Sequence, residues 1–343
     1  MNFKKVSIEA MAYSLPSEIV TSEEIENLLS PLYNRLGLKV GRLELMTGIR
    51  ERRFWPSSTL PSSVSASAGC KLISDHKINP ADVDLLIDSA VCRDRLEPAT
   101  ASYVHKLMGL GGNTQIMDIS NACLGFINAL IVASSMIESG QIRRAIIVAA
   151  ENGKPLIDQT IRMLNQQEHT RKSIKPYFAN LTIGASAVAW SICHSDDCSD
   201  QSPKLGFASN FTDTSFNHLC EGDSEGQELI MQTDSEELLH AGISVAQNAW
   251  DLFKASSGWT SQTPDLIVTH QVGKAHTQAV FDSLALDIKK NFSSFETLGN
   301  CGASSLPITY TLACKDNPAR LQMKTMLMGI GSGLSSVMLS INN

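Results

Sequence analysis

Two segments that read as strands with apolar residues on both faces constrain the fold of this chain most. They are VDLLIDSAV at residues 83–91 and PDLIVTHQV at residues 264–272. Strands of this kind are typical of a sheet that helices cover on both sides. Both segments occur within a similar order of strand, loop, helix and strand. We therefore predict an α/β protein of two similar halves, stacked about a pseudo-symmetry axis.

The length of the chain also favours two halves, because 343 residues exceed the usual size of a single hydrophobic core. The polar stretch at residues 194–203 is the predicted boundary, with one half at residues 1–195 and the other at residues 196–343. Strands are predicted at 3–13, 143–152, 182–193, 204–213, 324–333 and 334–342, and helices at 22–36, 62–75, 98–107, 155–178, 235–256 and 274–286. The segment at 47–55 is predicted to be a strand and loop at the surface.

Charge and hydropathy argue against several kinds of partner. The net charge is −7 and the pI is about 5.6, which does not suit a surface for nucleic acid or anionic membranes. The sequence has no apolar run of about 18 residues and no N-terminal signal pattern, so we expect no membrane span and a cytoplasmic location.

The eight cysteines have no disulfide-framework spacing, which is typical of free thiols in a reducing cytoplasm. Residues 193–198 (CHSDDC) have the composition of a metal site. No second pair of ligands follows them, so we predict no metal there.

Cys123 lies in the segment TQIMDISNACLGFINALIVAS, where an apolar run gives way to an amphipathic helix pattern. This places the cysteine at a strand-to-helix turn. A helix N-terminus favours a thiolate, which could attack a thioester. Gly125 leaves room for a substrate or for another backbone segment. The alternative is a small buried cysteine that only packs well.

Three further features would complete such a site. His270 ends an apolar strand, at a sheet edge where loops gather. Asn300 lies in the open loop GNCGAS, and the loop GIGSG at residues 329–333 offers backbone N–H groups for an oxyanion. Individually, these could be a structural histidine, a turn residue and a tight bend. A cysteine, a histidine and an asparagine together are the set needed to form and attack an acyl thioester.

These motifs resemble the thiolase-fold condensing enzymes of the ketoacyl synthase III group. NACLGF, HQV, GNCGAS and GIGSG occur in that order, and the likeness extends along essentially the whole chain. It implies a five-layer αβαβα sandwich. It also implies that Cys123 accepts an acyl group, while His270 and Asn300 hydrogen-bond the second substrate's thioester oxygen as it becomes an enolate. The N–H groups of Cys123 and Ser332 would then hold the oxyanion.

The chain is more similar still to the head-to-head condensing enzymes that begin bacterial long-chain olefin and β-lactone synthesis, through RLGLK, RDRLEPATAS, NACLGFIN, HQVGKAHT and GIGSGL. The resemblance implies a non-decarboxylating Claisen condensation of two fatty acyl-CoA molecules. The 2-alkyl-3-oxoacyl product would be released as a β-keto acid. No cofactor is implied beyond the CoA thioester substrates, and the implied assembly is a homodimer.

Glu97 distinguishes this reaction from ordinary ketoacyl synthesis. Loss of CO₂ from a malonyl group creates a carbanion without a base, whereas joining two plain acyl thioesters requires removal of an α-proton. A carboxylate in an apolar site, its pKa raised by desolvation, suits that step. The resemblance implies that Glu97 reaches the site from the partner subunit. On the residues alone, a solvated charge in a charged loop is the better interpretation of Glu97, and the resemblance is what favours a base.

Two other functions remain open on the sequence. One is a decarboxylating 3-oxoacyl synthase III that uses malonyl-carrier protein, because CLGF also suits that group and Gly125, Cys301 and Ser304 depart from the olefin enzymes. The other is a non-condensing partner subunit of a heterodimer. The sequence also leaves open whether the acyl groups arrive on CoA or on an acyl carrier protein.

Overall fold

In the computed structural model, residues 1–166, 168–225 and 228–342 are described. Gln167, inside the predicted helical stretch 155–178, lies outside them. The strands are β1 (Val6–Ser14), β2 (Glu18–Thr21), β3 (Glu51–Phe54), β4 (Leu85–Asp88), β5 (Gln115–Asp118), β6 (Arg144–Asn152), β7 (Ala185–His194), β8 (Lys204–Thr212), β9 (Cys220–Glu225), β10 (Glu228–Thr233), β11 (Leu266–Thr269), β12 (Thr325–Gly331) and β13 (Ser335–Asn342).

Most of the predicted helices are present, but the one predicted over 155–178 is wrong in length, because the α-helix ends at Gln166 and a separate 3₁₀ helix covers Lys175–Thr182. The α-helices are numbered in chain order. They are α1 (Ser22–Leu28), α2 (Ser30–Leu36), α3 (Arg42–Thr47), α4 (Pro61–His76), α5 (Thr100–Met108), α6 (Gly125–Glu138), α7 (Lys154–Gln166), α8 (Ser235–Ser257), α9 (Lys274–Ser283), α10 (Phe295–Leu298) and α11 (Ser305–Asp316). None of these helices in the described ranges is both long and apolar enough to cross a membrane.

Nine strands form one hydrogen-bonded sheet in the order β11-β12-β13-β8-β1-β7-β6-β4-β5. From the centre outward, β1 pairs with β7 and β7 with β6, both antiparallel, and β6 then pairs with β4 in parallel. On the other side, β8, β13, β12 and β11 repeat this antiparallel, antiparallel, parallel pattern. The pairing of β1 with β8 joins the two parts. The internal duplication predicted from the two doubly apolar strands is therefore present in the topology.

The hydrophobic clusters show how the helices and the sheet are layered. Helices α4 and α5 cover one face of β1, β4, β6 and β7. Helices α6 and α11 pack between the opposite face of these strands and β8, β11, β12 and β13. Helices α8 and α9 cover the remaining face of β11–β13. The layers thus alternate helix, sheet, helix, sheet, helix, which confirms the αβαβα sandwich of the thiolase fold. The division at residue 195 into two domains stays a prediction.

Two local predictions need correction. The single helix predicted over 22–36 is two helices that break at Leu29. Thr21 caps α1 in a reciprocal capping box with Glu24. The segment at 47–55 does not lie wholly at the surface. Arg52 is fully buried, and its guanidinium donates to Ser22 Oγ (2.9 Å) and to the Leu181 carbonyl (2.9 Å). Hydrogen bonds of this kind offset the cost of burying a charge.

The prediction of eight free thiols is wrong at one pair, because Cys193 and Cys198 form a disulfide. Cys193 lies on β7, and a short 3₁₀ turn after the strand brings the chain back so that the two Cα atoms are 6.7 Å apart. The other six cysteines are free thiols. Among the described residues, no group of three or more His, Cys, Asp or Glu side chains is arranged to hold a metal ion.

Candidate active site

Most of the predicted catalytic residues line a cavity of about 990 Å³. Cys123, His270 and Asn300 all line it, although they come from three distant parts of the sequence. Many of its other walls are apolar, among them Leu156, Leu238, Leu239, Ile243, Ala246 and Met328. The hairpin β9–β10, which the sequence analysis did not predict, contributes Cys220 and Met231. The cavity thus combines polar groups at one place with walls that suit alkyl chains.

The backbone around Cys123 forms the predicted turn between β5 and α6. Ala122 has a φ of 45°, a left-handed conformation that costs an L-residue of order 1–3 kcal/mol. The amides of Leu124 and Gly125 close the turn onto Asn121 and Ala122, at 2.9 and 3.2 Å. A Cβ at Gly125 would overlap the Ser89 carbonyl, so this glycine admits another backbone segment, as the sequence analysis anticipated.

The protonation state of Cys123 differs from the expectation. Burial raises the pKa of its thiol to about 12, and the negative charge of Glu151 and the neighbouring Cys220 act in the same direction. The helix dipole, which was expected to favour a thiolate, does not dominate, because Cys123 precedes the first helical residue by two positions and lies among apolar groups. Cys123 is therefore a neutral thiol at pH 7.

His270 follows β11 and is 6% exposed. Burial, with a smaller contribution from His276 nearby, lowers the pKa of its imidazole to about 4. The ring is consequently neutral at pH 7. Its Nδ1 is buried and has no partner within the described chain. A neutral ring carries one N–H, which can donate a hydrogen bond to a substrate oxygen.

Asn300 is held so that its amide nitrogen remains for a ligand. Its Oδ1 accepts from the Gly302 amide (3.0 Å) and from Ser305 Oγ (3.2 Å), which leaves Nδ2 as the donor of this cavity-lining side chain. The side chain of Gln271, next to His270, accepts from the amides of Ser294 (2.7 Å) and Phe295 (3.0 Å). This contact ties the histidine to the segment that leads into Asn300.

The GIGSG loop forms the end of β12 and the turn to β13, and it lies against the start of α6. A Cβ placed at Gly331 would be 3.5 Å from the Cys123 amide nitrogen. Ser332 lines the cavity, and its hydroxyl donates to Cys220 Sγ (3.3 Å). The backbone of this loop is therefore close to the acyl-accepting cysteine, as an oxyanion site requires, although the sequence alone equally permitted a simple bend.

Glu97 is the predicted residue that the protomer does not bring to the others. It is exposed and does not line the cavity, whereas Arg93, Asp94 and Arg95 of the same loop do. Leu96 beside it is 93% exposed. Within one chain, Glu97 is thus not in the apolar surroundings expected for a base.

Glu151 is a cavity residue that the sequence analysis missed. It is the second-last residue of β6, is 3% exposed and lines the cavity near Cys123. The available signal was a carboxylate at the end of the otherwise apolar strand RRAIIVAAEN, where an unpaired charge would not be tolerated.

Comparison with known families supports this description of the site. Residues 117–170 match the model for 3-oxoacyl-[acyl-carrier-protein (ACP)] synthase III, and residues 255–341 match the model for its C-terminal part. The chain is 33% identical to an acyl-CoA:acyl-CoA alkyltransferase of Shewanella oneidensis, and also to one of Xanthomonas campestris. In both cases the alignment covers 99% of each protein.

Solved structures agree with the sequence comparison. A variant of Xanthomonas campestris OleA superposes with a TM-score of 0.95 at 32% identity, over 100% of this chain and 98% of that one. A second OleA structure, with bound lauric acid and lauroyl-CoA, gives a TM-score of 0.93 at 33% identity, over 99% of this chain and 100% of the other. The chain belongs to the acyl-CoA:acyl-CoA alkyltransferase family, within the 3-oxoacyl synthase III-like enzymes of the thiolase superfamily.

Proposed function

We propose that this acyltransferase joins two fatty acyl-CoA molecules by a head-to-head Claisen condensation without loss of CO₂, giving a 2-alkyl-3-oxoacyl product that is released as a β-keto acid. The observation that carries the proposal is the convergence of Cys123, His270 and Asn300 on one cavity with largely apolar walls. Two acyl-CoA:acyl-CoA alkyltransferases are 33% identical to this chain, whereas a β-ketoacyl-[acyl-carrier-protein] synthase III from Deinococcus deserti is 26% identical. This difference supports condensation of two acyl-CoA molecules over ketoacyl synthesis.

The first step transfers an acyl group to Cys123. The sulfur of Cys123 bonds to the thioester carbonyl carbon, the bond from that carbon to the CoA sulfur breaks, and CoA leaves as a thiol with the proton that Cys123 loses. The amides of Cys123 and Ser332 are the proposed donors to the carbonyl oxygen while it is negative. Because the thiol is neutral at rest, its proton must leave as the carbonyl is attacked.

In the second step, the α-carbon of a second acyl-CoA loses a proton to a carboxylate, and the resulting enolate carbon bonds to the acyl carbon on Cys123. The bond from that acyl carbon to Cys123 Sγ breaks, and the thiolate takes up the proton held by the carboxylic acid. Water then hydrolyses the CoA thioester of the 2-alkyl-3-oxoacyl product, which releases the β-keto acid and CoA. The N–H of His270 and Nδ2 of Asn300 would donate to the enolate oxygen. The burial of His270 strengthens such a hydrogen bond, because water does not compete for it. The chemistry needs acyl transfer, a base and oxyanion donors, so we propose that CoA thioesters are substrates and that no cofactor takes part.

We propose Glu97 as the base, acting across a homodimer. In Xanthomonas OleA, variants of one glutamate and one cysteine have been solved, and these residues are 26 positions apart, as are Glu97 and Cys123. Glu97 projects from its own protomer beside the exposed Leu96. Strand β5 is an edge of the sheet, with Ile116 41% exposed, and an unpaired edge is a ready surface for a second copy. The six free thiols suit the proposed cytoplasmic location.

The test is to incubate the protein with lauroyl-CoA and no malonyl donor. We expect free CoA, a dodecanoyl adduct on Cys123 and the C24 β-keto acid or its decarboxylated ketone. A product that forms only with malonyl-carrier protein, with release of CO₂, would identify a decarboxylating synthase instead. The absence of any adduct on Cys123 would identify a non-condensing subunit.

A further inference from the structure

Glu151 connects two loops of the active site that are far apart in sequence. One carboxylate oxygen accepts from the amides of Val91 (2.8 Å) and Ala303 (3.1 Å). The other oxygen accepts from the amide of Cys92 (3.0 Å). Val91 and Cys92 begin the loop that carries Glu97, and Ala303 follows Asn300 by three residues. A single side chain therefore joins the loop of the proposed base to the loop of an enolate donor.

The loop of Glu97 is held at both ends by carboxylates. Glu151 binds its first two residues, while Asp118 at the end of β5 accepts from the amides of Thr100 (2.8 Å) and Ala101 (2.9 Å) at the start of α5. Between these points, Asp94 accepts from the Ser62 amide (2.9 Å) on α4. The position of Glu97 thus depends on anchors outside its own loop.

Glu151 is also in close contact with the loop that carries Asn300. A Cβ at Gly302, which has a φ of 53°, would lie 2.9 Å from the Glu151 carboxylate. The amide of Gly302 donates to Asn300 Oδ1, and this bond orients the asparagine amide. If Glu151 moved, Ala303 and Gly302 would therefore move with it, and the Nδ2 donor of Asn300 would change its position.

The requirement for a carboxylate follows from the number of donors. Three N–H groups converge on two oxygens, and a glutamine could offer only one oxygen to them while its NH₂ would meet an N–H. The charge itself is unfavourable for the chemistry, because it raises the pKa of the Cys123 thiol and opposes an enolate. Burial also raises the pKa of Glu151, while its three amide bonds favour the charged form. The buried charge of Glu151 is thus unfavourable both for its own solvation and for the reaction. The hydrogen bonds by which it joins the two loops explain why a carboxylate is present at this position.

We propose that Glu151 is a positioning residue for the condensation step, which fixes the loop of Glu97 relative to Asn300. The proposal rests on the proposed function in so far as that function assigns these two residues to enolate formation. A positioning role and a purely structural role predict different results when the charge of Glu151 is removed. Removal of the charge should make Cys123 more reactive, although condensation becomes slower.

The decisive variant is Glu151→Gln, compared with wild type in three measurements. Alkylation of Cys123 by iodoacetamide at pH 8 should become about 3- to 10-fold faster, because loss of the negative charge lowers the pKa of the thiol and increases the fraction present as thiolate. Condensation of lauroyl-CoA should become about 10- to 100-fold slower, as expected for loss of a hydrogen bond to a charged group. Amide hydrogen exchange in residues 90–99 should accelerate.

Asp118→Asn is the matched control, because it loosens the other end of the same loop and leaves the charge beside Cys123 in place. It should slow condensation and leave alkylation unchanged. If Glu151→Gln does not fold, Glu151→Asp keeps the charge on a shorter side chain and should slow condensation without faster alkylation. The proposal is wrong if acylation and condensation decrease by the same factor in folded variants, or if hydrogen exchange at 90–99 does not change. A wild-type protein that makes no β-keto acid would overturn the proposed function instead, and the exchange measurement would still decide whether Glu151 holds the loop.

Discussion

The cavity and the loop that carries Glu97 differ in one respect. A single protomer brings the three cavity residues together, but it does not bring Glu97 to them. Cys123, His270 and Asn300 are brought to one cavity by β5–α6, by β11 and by the loop after α10. Gln271, next to His270, accepts a hydrogen bond from the Ser294 amide, and Ser305 donates one to Asn300. Glu97 is exposed beside Leu96 and does not reach its own cavity. One chain therefore suffices to accept an acyl group, whereas the proposed enolate chemistry needs a second copy.

The largest effect should come from Cys123→Ala, which removes the acyl acceptor. We expect overall turnover of lauroyl-CoA to fall by about 10⁴-fold or more, as for nucleophile deletions in other enzymes. Intact-protein mass spectrometry should show no dodecanoyl adduct. Cys70→Ser is the control, because Cys70 is an exposed thiol away from the cavity. Equal adduct formation by wild type and Cys123→Ala would remove Cys123 from the mechanism.

Glu97→Gln should separate the two parts of the site. Condensation should decrease by about 10²- to 10⁴-fold, the usual contribution of a general base, while acylation of Cys123 continues. When this variant is mixed with Cys123→Ala and the subunits exchange, one of the two sites in each mixed dimer regains both groups. About a quarter of the wild-type rate should return, because half of the dimers are mixed. No recovery in dimers shown to have exchanged would mean that Glu97 does not act across an interface.

The buried histidine predicts a pH effect on stability. His270 takes up its proton near pH 4 in the folded chain and near pH 6.5 when unfolded, so the unfolded state binds more protons between these values. The free energy of unfolding should be highest above pH 6.5 and decrease by up to about 3 kcal/mol as the pH falls to 4. Thermal unfolding of wild type and His270→Gln measures this. An identical pH slope in both proteins would show that His270 is not the group responsible.

The smallest effect should come from Ser332→Ala. The proposed oxyanion donor is the backbone amide, which the substitution keeps, while the hydrogen bond from the hydroxyl to Cys220 Sγ is removed. Acylation should change by less than about threefold, the effect of one weak hydrogen bond. A much larger loss in the rate of adduct formation would assign the donor role to the hydroxyl.

The sequence predicted the elements and the residues that local patterns determine. The doubly apolar strands became β4 and β11, and the helix predicted over 235–256 is α8. Cys123, His270 and Asn300 were found because each follows a recognisable change of pattern. Arg52 and the disulfide between Cys193 and Cys198 were missed, because burial of an arginine and pairing of thiols depend on which segments meet in three dimensions.

Residues whose contacts are far away in the sequence could not be predicted from local patterns either. Glu151 binds amides 59 to 152 positions away, which no periodicity reports. The protonation of Cys123 was misjudged for a related reason. The helix start is visible in the sequence, but the desolvation that outweighs it arises from the cavity as a whole.

The hydrogen bonds from Ser294 and Phe295 to Gln271 have a consequence for how such an enzyme can change. They connect the neighbour of His270 to the segment that precedes Asn300, so the two proposed enolate donors, 30 positions apart in sequence, are linked through a single side chain. The alkyl-facing wall is largely separate, since Leu238, Leu239, Ile243 and Ala246 all belong to α8. Substitutions along this helix can therefore alter which chains the cavity accepts while the hydrogen-bonding geometry of the reaction stays the same.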